Sequence, residues 1–258
     1  MRHLIFSARL GRMILHLLLG VGIVLSVYPF LRLSRRTSVA RWWSHRVLSL
    51  CGMTLEVKGN LPAEPRIFVM NHISWLDIYA LNALKPSHFV AKSEIRGWPL
   101  IGLLCDRAGT IFIERGKRHA VHQVIHQLAE RMQQGHTAAV FPEGTTTRGD
   151  QLLPFHANLL QAAIEAHVPV TPVALRYWHH EQRSEVPAYV EGMTLVESMS
   201  KVVMTPGMVA ELSLLPELHP EEFKTRHALA KAAQDAISHH LGVSVAGTTP
   251  LRPHSSGM

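Results

Sequence analysis

Residues 66–77 read RIFVMNHISWLD, an apolar run that ends in polar residues with catalytic potential. The run from Arg66 to Met70 predicts a buried strand. On one regular helix, His72 and Asp77 would lie about 140° apart, because five residues each turn the helix by about 100°. We therefore expect His72 in the turn after the strand and a helix that begins near Ser74. Asp77 would then face back and hold one imidazole nitrogen, which leaves the other nitrogen free to accept a proton from an alcohol.

Asp77 also has an explanation without catalysis. Ser74 and Asp77 have the spacing of a capping box, in which the carboxylate binds the backbone at the start of a helix. The sequence leaves both roles open, and they are compatible.

The remainder of the chain alternates short apolar runs with amphipathic segments. This pattern predicts an α/β fold with a mostly parallel central sheet flanked by helices. Ligands of such folds bind where strands end and loops begin. The other expected strands are His88 to Ala91, Thr110 to Ile113, Thr137 to Phe141, Pro169 to Arg176 and Val209 to Leu215. The expected helices are 121–132, with Gly135 as the cap, 155–167 and 220–241.

A second polar segment, Phe141-Pro142-Glu143-Gly144-Thr145, follows one of these strands. Pro142 cannot continue a central strand, and Gly144 permits a positive φ, so a turn is expected here. Glu143 and nearby backbone N–H groups should then line the same sheet edge as His72. The alternative is an ordinary turn with a solvated glutamate.

The basic excess of the chain is confined to its N-terminal part. Of 26 basic side chains, eight arginines lie in residues 1–55, which contain no Asp, Glu or Lys. Residues 56–258 therefore hold 18 basic and 19 acidic side chains and are slightly acidic. A nucleic-acid partner is not expected, because the positive charge lies beside an apolar segment rather than across a folded domain.

That apolar segment runs for nineteen residues, from Met13 to Leu31. As a helix it would extend about 28 Å, close to the hydrocarbon thickness of a bilayer. Residues 26–29 (SVYP) lack the small-x-small pattern of a signal-peptidase site, so we expect an uncleaved membrane anchor. The alternatives are a cleaved signal peptide, a hairpin that enters one leaflet and a buried core helix. The flanking arginines slightly favour a cytoplasmic location for the C-terminal side.

An amphipathic helix should follow the anchor, either in the membrane interface or packed on the domain. Its apolar positions are Val39, Trp42, Trp43, Val47, Leu50 and Cys51. We divide the chain into an anchor and interfacial helix (1–55), a catalytic α/β domain (56–242) and a flexible tail (243–258).

Cysteine and histidine usage predicts neither a disulfide framework nor a metal site. Only Cys51 and Cys105 occur, and the 18 histidines lack the spacing of a metal cage. Residues 109–118 are not a phosphate loop, but a strand that ends near Arg115 could pair with a phosphate. A solvated run of charges is the alternative.

Four ordered blocks resemble the 1-acylglycerol-3-phosphate acyltransferases and the related glycerophospholipid acyltransferases, over roughly residues 56–180. They are Asn71-His72-x4-Asp77, Gly109-x-x-Phe112-Ile113-x-Arg115, Phe141 to Thr145, and Val168-Pro169-x-x-Pro172-Val173. The resemblance implies a membrane-bound O-acyltransferase on the cytoplasmic face of a bacterial inner membrane. The acyl donor would be acyl-CoA or acyl-carrier protein, and no cofactor or metal is implied. The leading acceptor would be 1-acylglycerol-3-phosphate, which would give phosphatidic acid.

The resemblance also implies roles for single residues. His72 would be the general base and Asp77 its orienting carboxylate. Substrate binding is expected from Lys92, Arg115, Glu143, Gly144, Thr145 and Pro169. Activity should fall when the pH is low enough to protonate His72, because only neutral imidazole can accept a proton.

One departure from the family pattern concerns the acceptor. Thr146 stands where relatives that act on lysophosphatidic acid often carry arginine, and Arg148 comes two residues later. Residues 154–158 (PFHAN) also lack the Lys and Gly common in relatives. Another lysolipid, such as lyso-ornithine lipid, is therefore an alternative acceptor. A membrane-bound lipid-binding protein without turnover is a further alternative.

Overall fold

The computed structural model describes residues 2–62, 65–114, 118–190 and 192–247. Within these ranges, eight strands form one sheet in the order β1-β8-β6-β2-β5-β3-β4, with β7 paired to β6. The strands are β1 (Met53–Lys58), β2 (Ile67–Met70), β3 (His88–Lys92), β4 (Ile111–Ile113), β5 (Ala138–Val140), β6 (Val170–His179), β7 (Gln182–Arg183) and β8 (Met208–Leu214). Neighbouring strands are parallel except where β6 meets β7 and β8. The predicted α/β class with a mostly parallel sheet is confirmed.

Helices cover both faces of this sheet. They are α1 (Arg2–Ser26), α2 (Leu33–Leu50), α3 (Leu76–Leu84), α4 (Ile101–Arg107), α5 (Arg118–Gln133), α6 (Gln161–Ala166), α7 (Leu195–Val203) and α8 (Arg226–Leu241). All four residues of β2 are buried, with Phe68 and Met70 in the core cluster of α2 and α3. Ile67 and Val69 belong to the opposite cluster, which α5, α6 and α8 cover. The unbroken apolar run of β2 follows from this burial on two faces.

Two predicted helices begin later than their sequence pattern indicated. The segment 155–167 is a 3₁₀ turn at Ala157–Leu160 followed by α6. The segment 220–241 contains a 3₁₀ turn at Pro220–Glu222, and its long helix starts only at Arg226. The Thr225 hydroxyl accepts a hydrogen bond from the Ala228 N–H at 3.2 Å, so a side-chain cap fixes that start.

The N-terminal region forms a pair of helices. α1 begins at Arg2, before the predicted segment 13–31. It ends at Ser26, before the end of that segment, because a 3₁₀ turn at Tyr28–Phe30 leads into α2. Its window from Ser7 to Ser26 has a mean hydropathy of 1.7, is 17% buried, and is long and apolar enough to cross a bilayer. The His16 ring stacks on Trp43 of α2 at 3.7 Å between centroids. A Cβ at Gly20 would overlap the same indole, so the glycine allows the close approach of α1 to α2.

α2 packs on the α/β domain. It contacts α3 and β1, and its Ser44, Val47 and Leu48 side chains are buried. Packing on the domain, one of the two interpretations offered for this helix, is therefore observed.

Part of the expected flexible tail belongs to the folded domain. The Leu152 N–H donates to the Ser244 carbonyl at 2.9 Å, and the Ala246 N–H donates to the Leu152 carbonyl at 2.8 Å. Val245 consequently forms a β-bridge with Leu152. Residues 248–258 lie outside the described part of the chain.

Candidate active site

The turn after β2 is held to the neighbouring strand by Asn71. Its side-chain amide donates to the Leu175 carbonyl at 3.0 Å, and its oxygen accepts from the Leu175 N–H at 2.8 Å. The buried Asn71 side chain thus replaces a backbone pairing at the point where β2 ends and β6 continues. This fixes the position from which His72 leaves the sheet.

His72 and Asp77 meet as the residue spacing predicts. The imidazole Nδ1 lies 2.8 Å from Asp77 Oδ2, and the side chains are 19% and 0% exposed. The same oxygen accepts from the backbone N–H groups of Ile73, at 2.7 Å, and Ser74, at 2.9 Å. Asp77 Oδ1 accepts from the Tyr177 hydroxyl at 2.7 Å. Asp77 therefore contacts both the backbone that leads into α3 and the imidazole, an arrangement that is compatible with both interpretations of the sequence.

Glu143 is a buried structural carboxylate rather than a solvated one. Its Oε1 accepts from the His72 N–H at 2.7 Å, and its Oε2 accepts from the Leu153 N–H at 2.8 Å. The pKa of Glu143 is raised to about 7, mainly by burial and to a smaller extent by the charge of Asp77, against the opposing effect of the hydrogen bonds from the Leu153 and His72 backbone. Both oxygens thus accept hydrogen bonds from the protein backbone. These contacts support a role in holding His72, whereas the family resemblance implied contact with the acceptor.

The turn that carries Glu143 depends on Gly144. Its φ is +71°, a conformation that other residues adopt only with strain, and its N–H donates to the Phe141 carbonyl at 3.0 Å. Phe141 stacks on the His72 ring with 3.9 Å between centroids and 15° between planes. The Thr147 N–H donates to the His72 carbonyl at 2.8 Å. Both backbone groups of His72 and one face of its ring are thus fixed by the segment after β5.

A cavity of about 450 Å³ lies at this edge of the sheet. Its polar lining includes Lys92, Glu143, Thr145, His156 and Asn158, and its apolar lining includes Val90, Ile113, Val121, Phe141 and Leu159. Polar groups together with apolar walls suit a ligand that has both a headgroup and a hydrocarbon chain. Of the residues predicted to bind substrate, Lys92, Glu143, Gly144 and Thr145 line the cavity. His72 does not line it but contacts two residues that do, Phe141 and Glu143. Sequence reasoning noted residues 154–158 only for what they lack, and it missed His156 and Asn158 as lining residues.

The structure does not bring every expected site residue to this cavity. Pro169 lies at the amino end of β6, where its carbonyl accepts from the Ile67 N–H at 3.2 Å. Val173, which pairs with Met70 of β2, lies four residues further along the chain, at a distance of about 13 Å from Pro169. The expected role of Pro169 in shaping the pocket is therefore not supported. Arg115 lies outside the described residues.

The side chains of Thr146 and Arg148 form contacts outside the cavity. The Thr146 hydroxyl donates to the Tyr189 carbonyl. Arg148 forms an exposed ion pair with Glu185 at 3.1 Å. Neither side chain lines the cavity, so the position that carries arginine in many relatives contributes a loop contact here.

The fold and site together define a class: an α/β enzyme with an oriented histidine at the carboxyl edge of a parallel sheet, beside a partly apolar cavity. A family model described as Acyltransferase matches residues 53–176, from the start of β1 into β6. The structure also resembles the crystal structure of the 1-acyl-sn-glycerophosphate acyltransferase PlsC from Thermotoga maritima. The TM-score is 0.73 at 23% identity, with 94% of this chain and 97% of that chain covered, which shows a shared fold.

Sequence relatives narrow the class to a family. The chain is 36% identical over 203 residues to the lyso-ornithine lipid O-acyltransferase of Pseudomonas aeruginosa, with 78% of each chain covered. It is 34% identical over 194 residues to the 1-acyl-sn-glycerol-3-phosphate acyltransferase of Neisseria meningitidis serogroup B, with 74% and 76% covered. The chain therefore belongs to the family of 1-acylglycerol-3-phosphate acyltransferases and related glycerophospholipid acyltransferases. It is an acyltransferase, and the lipid-binding alternative without turnover is set aside.

Proposed function

We propose that this acyltransferase moves a fatty acyl chain from an acyl thioester to the free hydroxyl of a lysolipid, with His72 as the general base. The observation that supports this role is the 2.8 Å contact between His72 Nδ1 and the buried carboxylate of Asp77. A carboxylate can only accept, so Nδ1 donates and Nε2 carries the free lone pair. An oriented, neutral imidazole is suited to removing a proton from an alcohol.

The reaction then follows from this geometry. Nε2 of His72 takes the hydroxyl proton as the lysolipid oxygen attacks the thioester carbonyl carbon. Collapse of the tetrahedral intermediate forms the ester and breaks the carbon–sulfur bond, and the departing thiolate receives the proton from His72. Asp77 stabilises the imidazolium between these steps. General-base assistance is typically worth 10² to 10⁴-fold in rate.

We take 1-acylglycerol-3-phosphate as the leading acceptor, with phosphatidic acid as the product. Lys92 at the cavity supplies a cation for a phosphate, and the N. meningitidis relative is named for this substrate. Arg115 is proposed as a second phosphate ligand from its place in the family motif. Lys92 and Thr145 would position the headgroup, and the apolar wall would hold part of an acyl chain.

A second acceptor, lyso-ornithine lipid, is favoured by a specific observation. Thr146 replaces the family arginine and donates to the Tyr189 backbone, which removes one cation from the expected phosphate site. The relative from P. aeruginosa, at 36% identity, is named for lyso-ornithine lipid. An acceptor without a phosphomonoester would need fewer cations.

We propose that α1 anchors the enzyme to a membrane, with the catalytic domain on the cytoplasmic face. The apolar window from Ser7 to Ser26 supports an anchor, and the arginines at both ends would meet anionic headgroups. A lysolipid would then reach the cavity without leaving the bilayer. Acyl-CoA or acyl-carrier protein would deliver the acyl chain from the aqueous side.

The test is turnover of a labelled acyl thioester by the purified protein in detergent, with each lysolipid in turn. His72→Ala should lose turnover by about 10² to 10⁴-fold. His126→Ala is the matched control, because His126 is 73% exposed on α5 and should leave the rate unchanged. Unchanged turnover in His72→Ala would exclude it as the base. Lys92→Ala and Arg115→Ala should weaken phosphate-bearing acceptors selectively, and equal losses on both acceptors would contradict their roles as phosphate ligands.

A further inference from the structure

We propose that Tyr177 is a positioning residue for the His72–Asp77 pair, an inference that rests on the proposed role of His72. Strand β6 extends beyond the end of β2, because Met70 is level with Val173 while β6 continues to His179. The side chain of Tyr177 therefore lies beside the turn that carries the base. It is 1% exposed, and its hydroxyl donates to Asp77 Oδ1 at 2.7 Å.

The Tyr177 hydroxyl binds Oδ1 of Asp77, whereas the turn before Asp77 binds Oδ2. The donors to Asp77 Oδ2 all come from residues 72–74, the turn just before Asp77. The donor to Oδ1 comes from a residue one hundred positions away in sequence. Without it, an oxygen of a fully buried carboxylate would lose that partner, and the plane of the carboxylate would be less constrained. Tyr177 thus fixes the acceptor that orients the imidazole.

The hydroxyl keeps this donor role across the working pH range. Burial, followed by the charge of Asp77, raises the pKa of Tyr177 well above its ordinary value, so the phenol remains protonated. Cys51, at the end of α2, also acts on the Tyr177 hydroxyl, and Glu143, in the turn after β5, acts on Asp77. Burial also raises the pKa of the Cys51 thiol, to about 12, so the thiol carries no charge near neutral pH.

Tyr177 also has an electrostatic effect on the base. A hydrogen bond to Oδ1 withdraws negative charge from the carboxylate, which then attracts a proton on the imidazole less strongly. Removal of this donor should therefore strengthen the attraction of Asp77 for the proton on the imidazole. Strand β6 thus supplies a hydrogen-bond donor to Asp77 that the Asn71 to Asp77 motif does not contain.

The test is the pH dependence of kcat/KM in Tyr177→Phe, which removes only the hydroxyl. The acid inflection of the profile should move to higher pH by roughly half a unit to one unit. The value of kcat should fall about tenfold, with KM for both substrates unchanged. Tyr79→Phe is the matched control, because it removes a hydroxyl from a tyrosine of α3 whose ring contacts Trp75. That control should keep the wild-type inflection.

Two further variants make the outcome decisive. In Asp77→Asn, adding Tyr177→Phe should produce no additional movement of the inflection, because the carboxylate is already absent. Incorporation of 3-fluorotyrosine at position 177 strengthens the hydrogen-bond donor and should move the inflection to lower pH. This variant also tests the proposal if Tyr177→Phe does not fold. An inflection that stays in place in both Tyr177 variants overturns the proposal. If His72→Ala is inactive in that case, the proposed function stands and only the role of Tyr177 fails.

Discussion

Replacing Glu143 with glutamine should remove a pH dependence from the stability of the protein. Glu143 is 4% exposed and accepts one backbone N–H on each oxygen. Its pKa rises from the ordinary 4.5 to about 7, mainly through burial. The folded state therefore binds this proton more tightly than the unfolded state does. The resulting contribution to stability is fully present below about pH 4.5 and is lost as the pH rises through about 7.

The size of the effect follows from these two pKa values. Proton linkage integrated from pH 5 to pH 8 gives a loss of about 2–3 kcal/mol in the free energy of unfolding of the wild type. Glutamine does not titrate, so the variant should lack this loss. At every pH, however, its amide NH₂ would face one of the two backbone N–H groups, at a cost of about 1–3 kcal/mol. The wild type should therefore be more stable than the variant by about 1–3 kcal/mol at pH 5, and between pH 5 and pH 8 the difference should move by about 2–3 kcal/mol in favour of the variant.

Denaturant unfolding in detergent at pH 5 and pH 8 measures both the pH-dependent loss of stability in the wild type and the cost of the amide in the variant. Glu185→Gln is the control, since Glu185 forms an exposed ion pair with Arg148 and should change the free energy of unfolding by less than about 1 kcal/mol. A stability difference between wild type and Glu143→Gln that is the same at both pH values would refute the reasoning. Turnover of the variant at pH 8 should also fall, by up to about 10²-fold, because Glu143 fixes the backbone of the base.

Three further substitutions test other parts of the structure. Asp77→Asn should lower kcat/KM by about 10² to 10⁴-fold in the acyl-transfer assay, and wild-type turnover would show that the imidazole does not need the carboxylate. Asn71→Ala leaves a buried N–H and C=O of β6 without side-chain partners, so the free energy of unfolding should drop by about 2–4 kcal/mol, and an unchanged denaturation midpoint would count against this account. Gly20→Leu should separate α1 from Trp43 and lower the thermal midpoint in detergent, whereas Gly22→Leu, with open space at its Cβ, should not.

The sequence predicted those features that depend on neighbouring residues. β2 was predictable because burial on both faces requires an unbroken apolar run. The approach of Asp77 to His72 was predictable because a regular helix forbids it and a turn permits it. Gly144 predicted a turn for the same local reason, since its positive φ strains other residues.

Features set by distant contacts escaped prediction. β1 is an edge strand with mostly exposed residues, and it pairs with β8 more than 150 positions later. Tyr177 lies in a strand of apolar residues, and only the offset between β6 and β2 brings its hydroxyl to Asp77. Pro169 belongs to a family block, but it lies beside the start of β2, at the edge of the sheet opposite to the one that carries His72. A motif gives residue identities, and the sheet register decides which of them meet.

The way His72 is held has a consequence for how such enzymes diversify. Its N–H, its carbonyl and its ring are fixed by Glu143, Thr147 and Phe141, all of which belong to the protein. With His72 as the proposed base, a lipid that enters the cavity would not have to assemble that base, and none of its binding energy would be consumed in doing so. Headgroup contacts elsewhere in the cavity can change from one relative to another while the proton-transfer apparatus stays intact. One catalytic frame can in this way serve lipids with chemically unrelated headgroups.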